Sequence, residues 1–159
     1  MPDAFGLGYD ELDEKGTRVT GSFNDIARFD HAKVDICLPL GPGNTEVTEH
    51  WELLNLAGED HIFHIHQTKF RVLAQGSTGT SIALSGGTAL FDNVPVPTNK
   101  TQPDGSCDGS IQKWNDGICK PVLVDVLIPF TQVGDFVFHC HILEHEDGGM
   151  MARIRVIPR

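Results

Sequence analysis

No run in this 159-residue chain approaches the roughly 18 consecutive apolar residues that a membrane-spanning helix needs. Its first residues, Met1 to Gly16, are acidic and lack the basic-then-apolar order of a secretory leader. Basic side chains are few: 12 Lys and Arg stand against 22 Asp and Glu, a formal charge of −10. That deficit excludes nucleic acid and anionic membrane surfaces as principal partners, because both repel an acidic protein. Methionine is scarce, limited to Met1, Met150 and Met151. There is no internal repeat, and helical patterning is confined to Tyr9–Lys15 and Ile142–Asp147. What remains is an ordinary globular composition, 40% hydrophobic and 21% charged, which excludes wholesale disorder. The length fits one domain able to bury about two-thirds of its unfolded surface.

The apolar pattern has a period of two. Val34, Ile36, Leu38 and Leu40 alternate with Asp35, Cys37 and Pro39, and Val122, Val124, Val126 and Ile128 repeat the alternation. Trp51–Leu56, Phe70–Leu73 and Phe136–Ile142 are further short runs rich in strand formers. Turn residues separate them: Gly41-Pro42-Gly43-Asn44, Ala57-Gly58-Glu59-Asp60, Gly76–Gly79, Gly86-Gly87 and Gly134-Asp135. Short strands with turns between them predict an all-β sandwich or barrel. Residues 1–20 read as an extension or linker and residues 21–159 as the domain, with a polar excursion at about 97–120. Asp104 and Asp108 in that excursion lack the regular ligand series of a calcium loop. Asn99-Lys100-Thr101 is a formal glycosylation sequon.

Four cysteines and eight histidines carry the chemistry. Cys107 and Cys119 flank a Gly- and Asp-rich loop; they form either a disulfide, which implies an oxidising compartment, or two unpaired thiols. Cys37 sits in an apolar run and is expected to be a small core residue. His31 and His50 stand alone and are expected to be ordinary satisfied surface or core side chains. The other six histidines fall in two clusters, His61-Ile62-Phe63-His64-Ile65-His66 and His139-Cys140-His141 running on to His145 and Met150.

Side chains alternate faces along a strand. His64 and His66 therefore share one face, and His61 takes the opposite parity. His139 and His141 share a face, while Cys140 points the other way with Phe136 and Phe138. One side thus collects four imidazoles: His64, His66, His139 and His141. The other collects His61 and Cys140, and the loop bearing His145 and Met150 can curl back to it. A thiolate, two imidazoles and a thioether are the ligands of a blue-copper electron-transfer site. Zinc accepts His and Cys, but one thiolate between two histidines and followed by a spaced Met is not a common structural zinc pattern. The four-imidazole set looks like half of a multinuclear copper centre, joined to the first set through the Cys140 backbone.

These motifs resemble the C-terminal cupredoxin (plastocyanin-like) domain of bacterial multicopper oxidases, the laccase and copper-efflux oxidase group. The family signatures have the forms His-Pro-x-His-x-His and His-Cys-His-x3-His-x3-Gly-Met; here they are His61–His66 and His139–Met150. Phe29-Asp30, Glu49-His50-Trp51-Glu52 and Phe91-Asp92-Asn93-Val94 extend the similarity, which covers roughly residues 21–159. The resemblance implies a Greek-key β-sandwich or barrel of the cupredoxin type. It implies that His61, Cys140, His145 and Met150 hold a type 1 copper, His64 a type 2 copper, and His66, His139 and His141 a type 3 pair. It implies that electrons from a phenolic or metal-ion donor pass through Cys140 and His139/His141 to a trinuclear centre, where dioxygen becomes water. A periplasmic or extracellular parent protein is implied as well.

Three departures qualify the resemblance. Ile62 stands where the signature has Pro. A Met-rich segment is absent, which weakens a cuprous-oxidase reading. The family's trinuclear centre takes eight histidines, and this chain lacks two further His-x-His pairs. A partner cupredoxin domain or subunit is therefore expected to supply them. Two alternatives stay open: a stand-alone blue-copper carrier and a copper nitrite reductase-like domain. Glu59, Asp60, Glu144, Glu146 and Asp147 near the type 1 loop either orient a donor or form a solvated acidic rim.

Overall fold

Alternating burial decides the architecture. Along Leu123–Phe130 every second side chain is buried and the intervening ones face outward, the signature of a strand with one face on the core. The computed structural model describes residues 5–19, 24–76, 88–99 and 107–159. Within them lie ten strands: β1 (Leu7–Tyr9), β2 (Asn24–Ala27), β3 (Ile36–Pro39), β4 (Val47–Leu54), β5 (His61–Ile65), β6 (Arg71–Gly76), β7 (Asn93–Val96), β8 (Leu123–Phe130), β9 (Gly134–Cys140) and β10 (Met151–Ile157). Two short helices join them, α1 (Ile111–Asn115) and α2 (Leu143–Asp147).

The strands form a five-stranded sheet in the order β3-β10-β9-β5-β7, a three-stranded sheet in the order β4-β8-β6, and a β1-β2 ribbon. β3 runs parallel to β10, and the other pairings in the two larger sheets are antiparallel. The two larger sheets share one core. Trp51 of β4 meets Phe138 of β9 with ring centroids 5.1 Å apart, and Phe130 of β8 meets Phe136 of β9 at 5.6 Å. Val124, Val126, Ile128, Phe130 and Ile154 are fully shielded within it. Burying such side chains contributes about 1.5–3 kcal/mol each. The all-β expectation therefore describes the chain, and among the described residues no helix is long and apolar enough to cross a membrane.

Several local expectations are corrected. Tyr9–Lys15 is not helical: Tyr9 ends β1, and the Asp13 carboxylate accepts from the backbone of Lys15 and Thr17 to close a turn. Gly16 completes that turn at φ +75°, a conformation glycine enters without a Cβ penalty. Cys37 is exposed, because on β3 it takes the parity opposite to buried Leu38. Gly134-Asp135 begins β9 rather than forming a turn. Residues 77–79, Gly86-Gly87, Lys100-Thr101, Pro103 and Asp104-Gly105 lie outside the described residues. Asn99 of the sequon is buried, and its side-chain amide donates to the Lys120 carbonyl at 2.6 Å.

The excursion is tied at its base by a Cys107–Cys119 disulfide, with both cysteines buried. Inside it, the Ser110 hydroxyl accepts from the Lys113 backbone at 3.2 Å and so caps α1. The Asp108 carboxylate is engaged by Lys113 at 2.8 Å. These contacts give residues 107–119 their own local order.

Candidate metal centre

The sheet order places the two histidine clusters side by side. β5 pairs with β9 so that Phe63 faces Cys140, His64 faces His139 and Ile65 faces Phe138. Parity then sorts the side chains to the two faces. His61, Phe63 and Ile65 are buried inward, whereas His64 is half-buried and His66 exposed. Cys140 is 3% exposed on the inner side. After β9 the chain turns through α2, whose single turn returns His145 to the same buried end.

The inner set converges. Cys140 Sγ lies 3.5 Å from His145 Nδ1 and 3.7 Å from His61 Nδ1, and the two Nδ1 atoms are 3.0 Å apart. All three residues are buried. A trigonal site with metal–ligand bonds of about 2.0–2.3 Å separates its ligand atoms by about 3.5–3.7 Å. The two sulfur–nitrogen edges already match, and the nitrogen–nitrogen edge needs only a small opening. One thiol and two imidazoles, all buried and converging within 3.7 Å of one another, thus fit a copper ion of the blue type. His61 Nε2 is buried without a hydrogen-bond partner. Burial, followed by the facing His145, pushes the His61 imidazole below its ordinary pKa of 6.5, which favours the neutral, ligating form. Met150 is buried beside them, and its carbonyl accepts from the Cys140 N–H at 3.0 Å.

The outer set is a cluster of four rings. His64 lies 5.0 Å from His66, 5.2 Å from His139 and 4.9 Å from His141, centroid to centroid. The Nε2 atoms of His66 and His139 meet at 3.0 Å. The Asp92 carbonyl lies 2.6 Å from His64 Nδ1, and the Cys140 carbonyl 2.9 Å from His139 Nδ1. Each contact fixes a ring orientation and leaves Nε2 as the ligand atom. Partial desolvation of the ring, then the neighbouring His139 and His64, holds the His66 imidazole below its ordinary value. This side opens on a surface hollow lined by His64, His66, Thr68, Lys69 and Asp92.

Two of the acidic residues expected near this loop, Glu146 and Glu59, reach the two sets. Glu146 Oε2 lies 3.5 Å from His139 Nδ1, and Glu59 Oε1 lies 3.7 Å from His145 Nε2. The Asp60 carboxylate accepts from the Thr98 backbone at 2.8 Å. Phe5, ahead of β1, stacks on the His145 ring with centroids 4.3 Å apart and planes at 21°. His31 is exposed. His50 is exposed but not alone: its Nε2 is 3.3 Å from Asp125 Oδ1, and Glu52 completes a three-residue group across β4 and β8. That grouping follows from the Glu52–Asp125 register and is invisible without the strand pairing.

Comparison with known proteins identifies the family. A family profile described as multicopper oxidase matches residues 11–159. A multicopper oxidase of Staphylococcus aureus is 29% identical over 133 residues, covering 81% of this chain and 23% of its own length. A laccase of Haloferax volcanii is 30% identical over 151 residues, covering 90% of this chain and 22% of its own. Among solved structures, a multicopper oxidase from Campylobacter jejuni, described as a metallo-oxidase, superposes with a TM-score of 0.60 at 26% identity. That match covers 84% of this chain and 22% of the other. The chain spans less than a quarter of the length of these relatives.

Proposed function

The chain belongs to the multicopper oxidase family, and on that premise we propose that it is the C-terminal cupredoxin domain of a bacterial member of the laccase and copper-efflux oxidase group. Residues 21–159 make up the domain, and residues 1–20 are an extension or linker. His61, Cys140, His145 and Met150 would hold the type 1 copper. His64 would serve the type 2 copper, and His66, His139 and His141 the type 3 pair. Bound there, copper supplies one-electron oxidation of a donor at the first set and reduction of dioxygen to water at the second.

The chain's own residues do the rest. Buried Cys140 and His145 keep water from the thiolate. The carbonyls of Asp92 and Cys140 orient two of the outer imidazoles. Cys140 is bonded through the backbone to both His139 and His141, so it forms the covalent link between the two sets. The outer set ends at an open surface with only four imidazoles, which calls for a partner domain or subunit carrying two His-x-His pairs. The donor would be a phenol or a metal ion. The Cys107–Cys119 disulfide supports a periplasmic or extracellular setting.

The convergence of Cys140 Sγ with two imidazole nitrogens carries this reading. To test it, the chain is loaded with Cu(II) and oxygen uptake is followed with a donor dye. An intense thiolate-to-copper absorption band is expected, and Cys140→Ser should abolish it. Vigorous four-electron oxygen reduction by the isolated monomer would contradict the half-centre. Additional copper bound on association with a partner favours the oxidase over a stand-alone carrier. Nitrite consumption without oxygen would favour the reductase reading.

A further inference from the structure

Ile62 is the position at which this chain departs from the proline of the family signature. Its backbone does two things at the end of β9. The Ile62 N–H points at Cys140 Sγ, 3.5 Å away, within hydrogen-bonding range for sulfur. The Ile62 carbonyl accepts from the His141 N–H at 2.8 Å. The strand is thereby fastened on both sides of the thiol, once to the sulfur and once to the next residue. Proline has no N–H and makes only the second of these contacts. Cys140 is 3% exposed, and a donor in so buried a site counts for more than in solvent.

Building on the type 1 reading of the inner set, we propose that the Ile62 backbone N–H is a redox-tuning donor to the Cys140 thiolate. A thiolate bound to Cu(I) keeps more negative charge on sulfur than one sharing electrons covalently with Cu(II). A hydrogen bond to that sulfur therefore stabilises the reduced state more than the oxidised state and raises the reduction potential. The side chain of Ile62 is not the agent; the amide hydrogen is. The departure from proline thus makes this site a stronger electron acceptor than the same ligands in a proline-bearing signature, suited to donors that are harder to oxidise.

Ile62→Pro deletes the donor, while Ile62→Val keeps it and trims one methylene. The copper-loaded chain carrying each substitution is studied by redox titration of the thiolate-to-copper band. Ile62→Pro is expected to keep the band and to lower the potential. The preference for Cu(I) over Cu(II) should fall on the order of 2- to 10-fold, the worth of one net hydrogen bond. Ile62→Val should leave the potential where it is in the unsubstituted chain. An unchanged potential in Ile62→Pro, or an equal shift in Ile62→Val, would overturn the proposal while the type 1 reading stands. No band in the unsubstituted copper-loaded chain would overturn both.

Discussion

His61 and His145, 84 residues apart in the chain, face each other with their Nδ1 atoms at 3.0 Å and with the Cys140 sulfur within 3.7 Å of both. Two independent features of the fold bring them together. The β5–β9 pairing fixes His61 against the end of the Cys140 strand. The single turn of α2 then folds His145 back, with its N–H bonded to the Ile142 carbonyl at 3.0 Å. Both contacts come from the chain's own pairing and turn, and together they hold the three side chains against one another.

Phe5 packs on this arrangement from the segment ahead of β1. Its ring lies flat on His145, and Gly148 leaves the space it needs: a Cβ there would come within 2.5 Å of Phe5 Cδ2. A stacked aromatic pair is worth about 0.5–1.5 kcal/mol beyond its buried area. Phe5→Leu should therefore speed copper release to a chelator roughly 2- to 10-fold, and Phe5→Tyr should restore the slow rate. Stopped-flow loss of the visible band measures both.

Glu49 gives a pH dependence with a definite sign. It is half-buried, and burial, followed by the charge of Glu11, raises its carboxyl above the ordinary 4.5. A raised folded-state pKa means that the stabilising contribution is complete below pH 4.5 and is lost as pH rises through the higher folded value. Glu49→Gln removes this penalty. Urea denaturation should find the variant more stable than the parent at pH 7, with the difference disappearing near pH 4.

The excursion depends on its disulfide. Cys107 and Cys119 are 12 residues apart, and closing a loop of that size stabilises a fold by about 3 kcal/mol in the chain-entropy account. The paired Cys107→Ser/Cys119→Ser variant should lose stability of that order in chemical denaturation. The visible copper band should survive, because neither cysteine belongs to the inner ligand set.

Much of this was legible from strand parity. A period of two separates His61 from His64 and Cys140 from its flanking histidines without reference to any fold, and the structure puts the groups on those faces. The same rule applies to Cys37: its apolar neighbourhood pointed to the core, but its parity with Asp35 and Pro39 pointed outward, and parity won. β10 and β7 are absent from the sequence reading, although Ala152, Ile154 and Val156 alternate with Arg153 and Arg155 as regularly as the residues of β8 do. Contacts between distant segments had no local signal. Phe5 on His145, the Asp92 carbonyl on His64 and the Glu52–Asp125 pairing arise only when the sheets assemble.

The central claim is that this chain holds one whole copper site and half of another. The most direct measurement is a Cu(II) titration of the monomeric chain, following the thiolate-to-copper band and tightly bound copper together. One equivalent should develop the full band, and the isolated chain should not turn dioxygen over to water. A titration that produces no band, or a monomer that sustains four-electron oxygen reduction, would contradict the account.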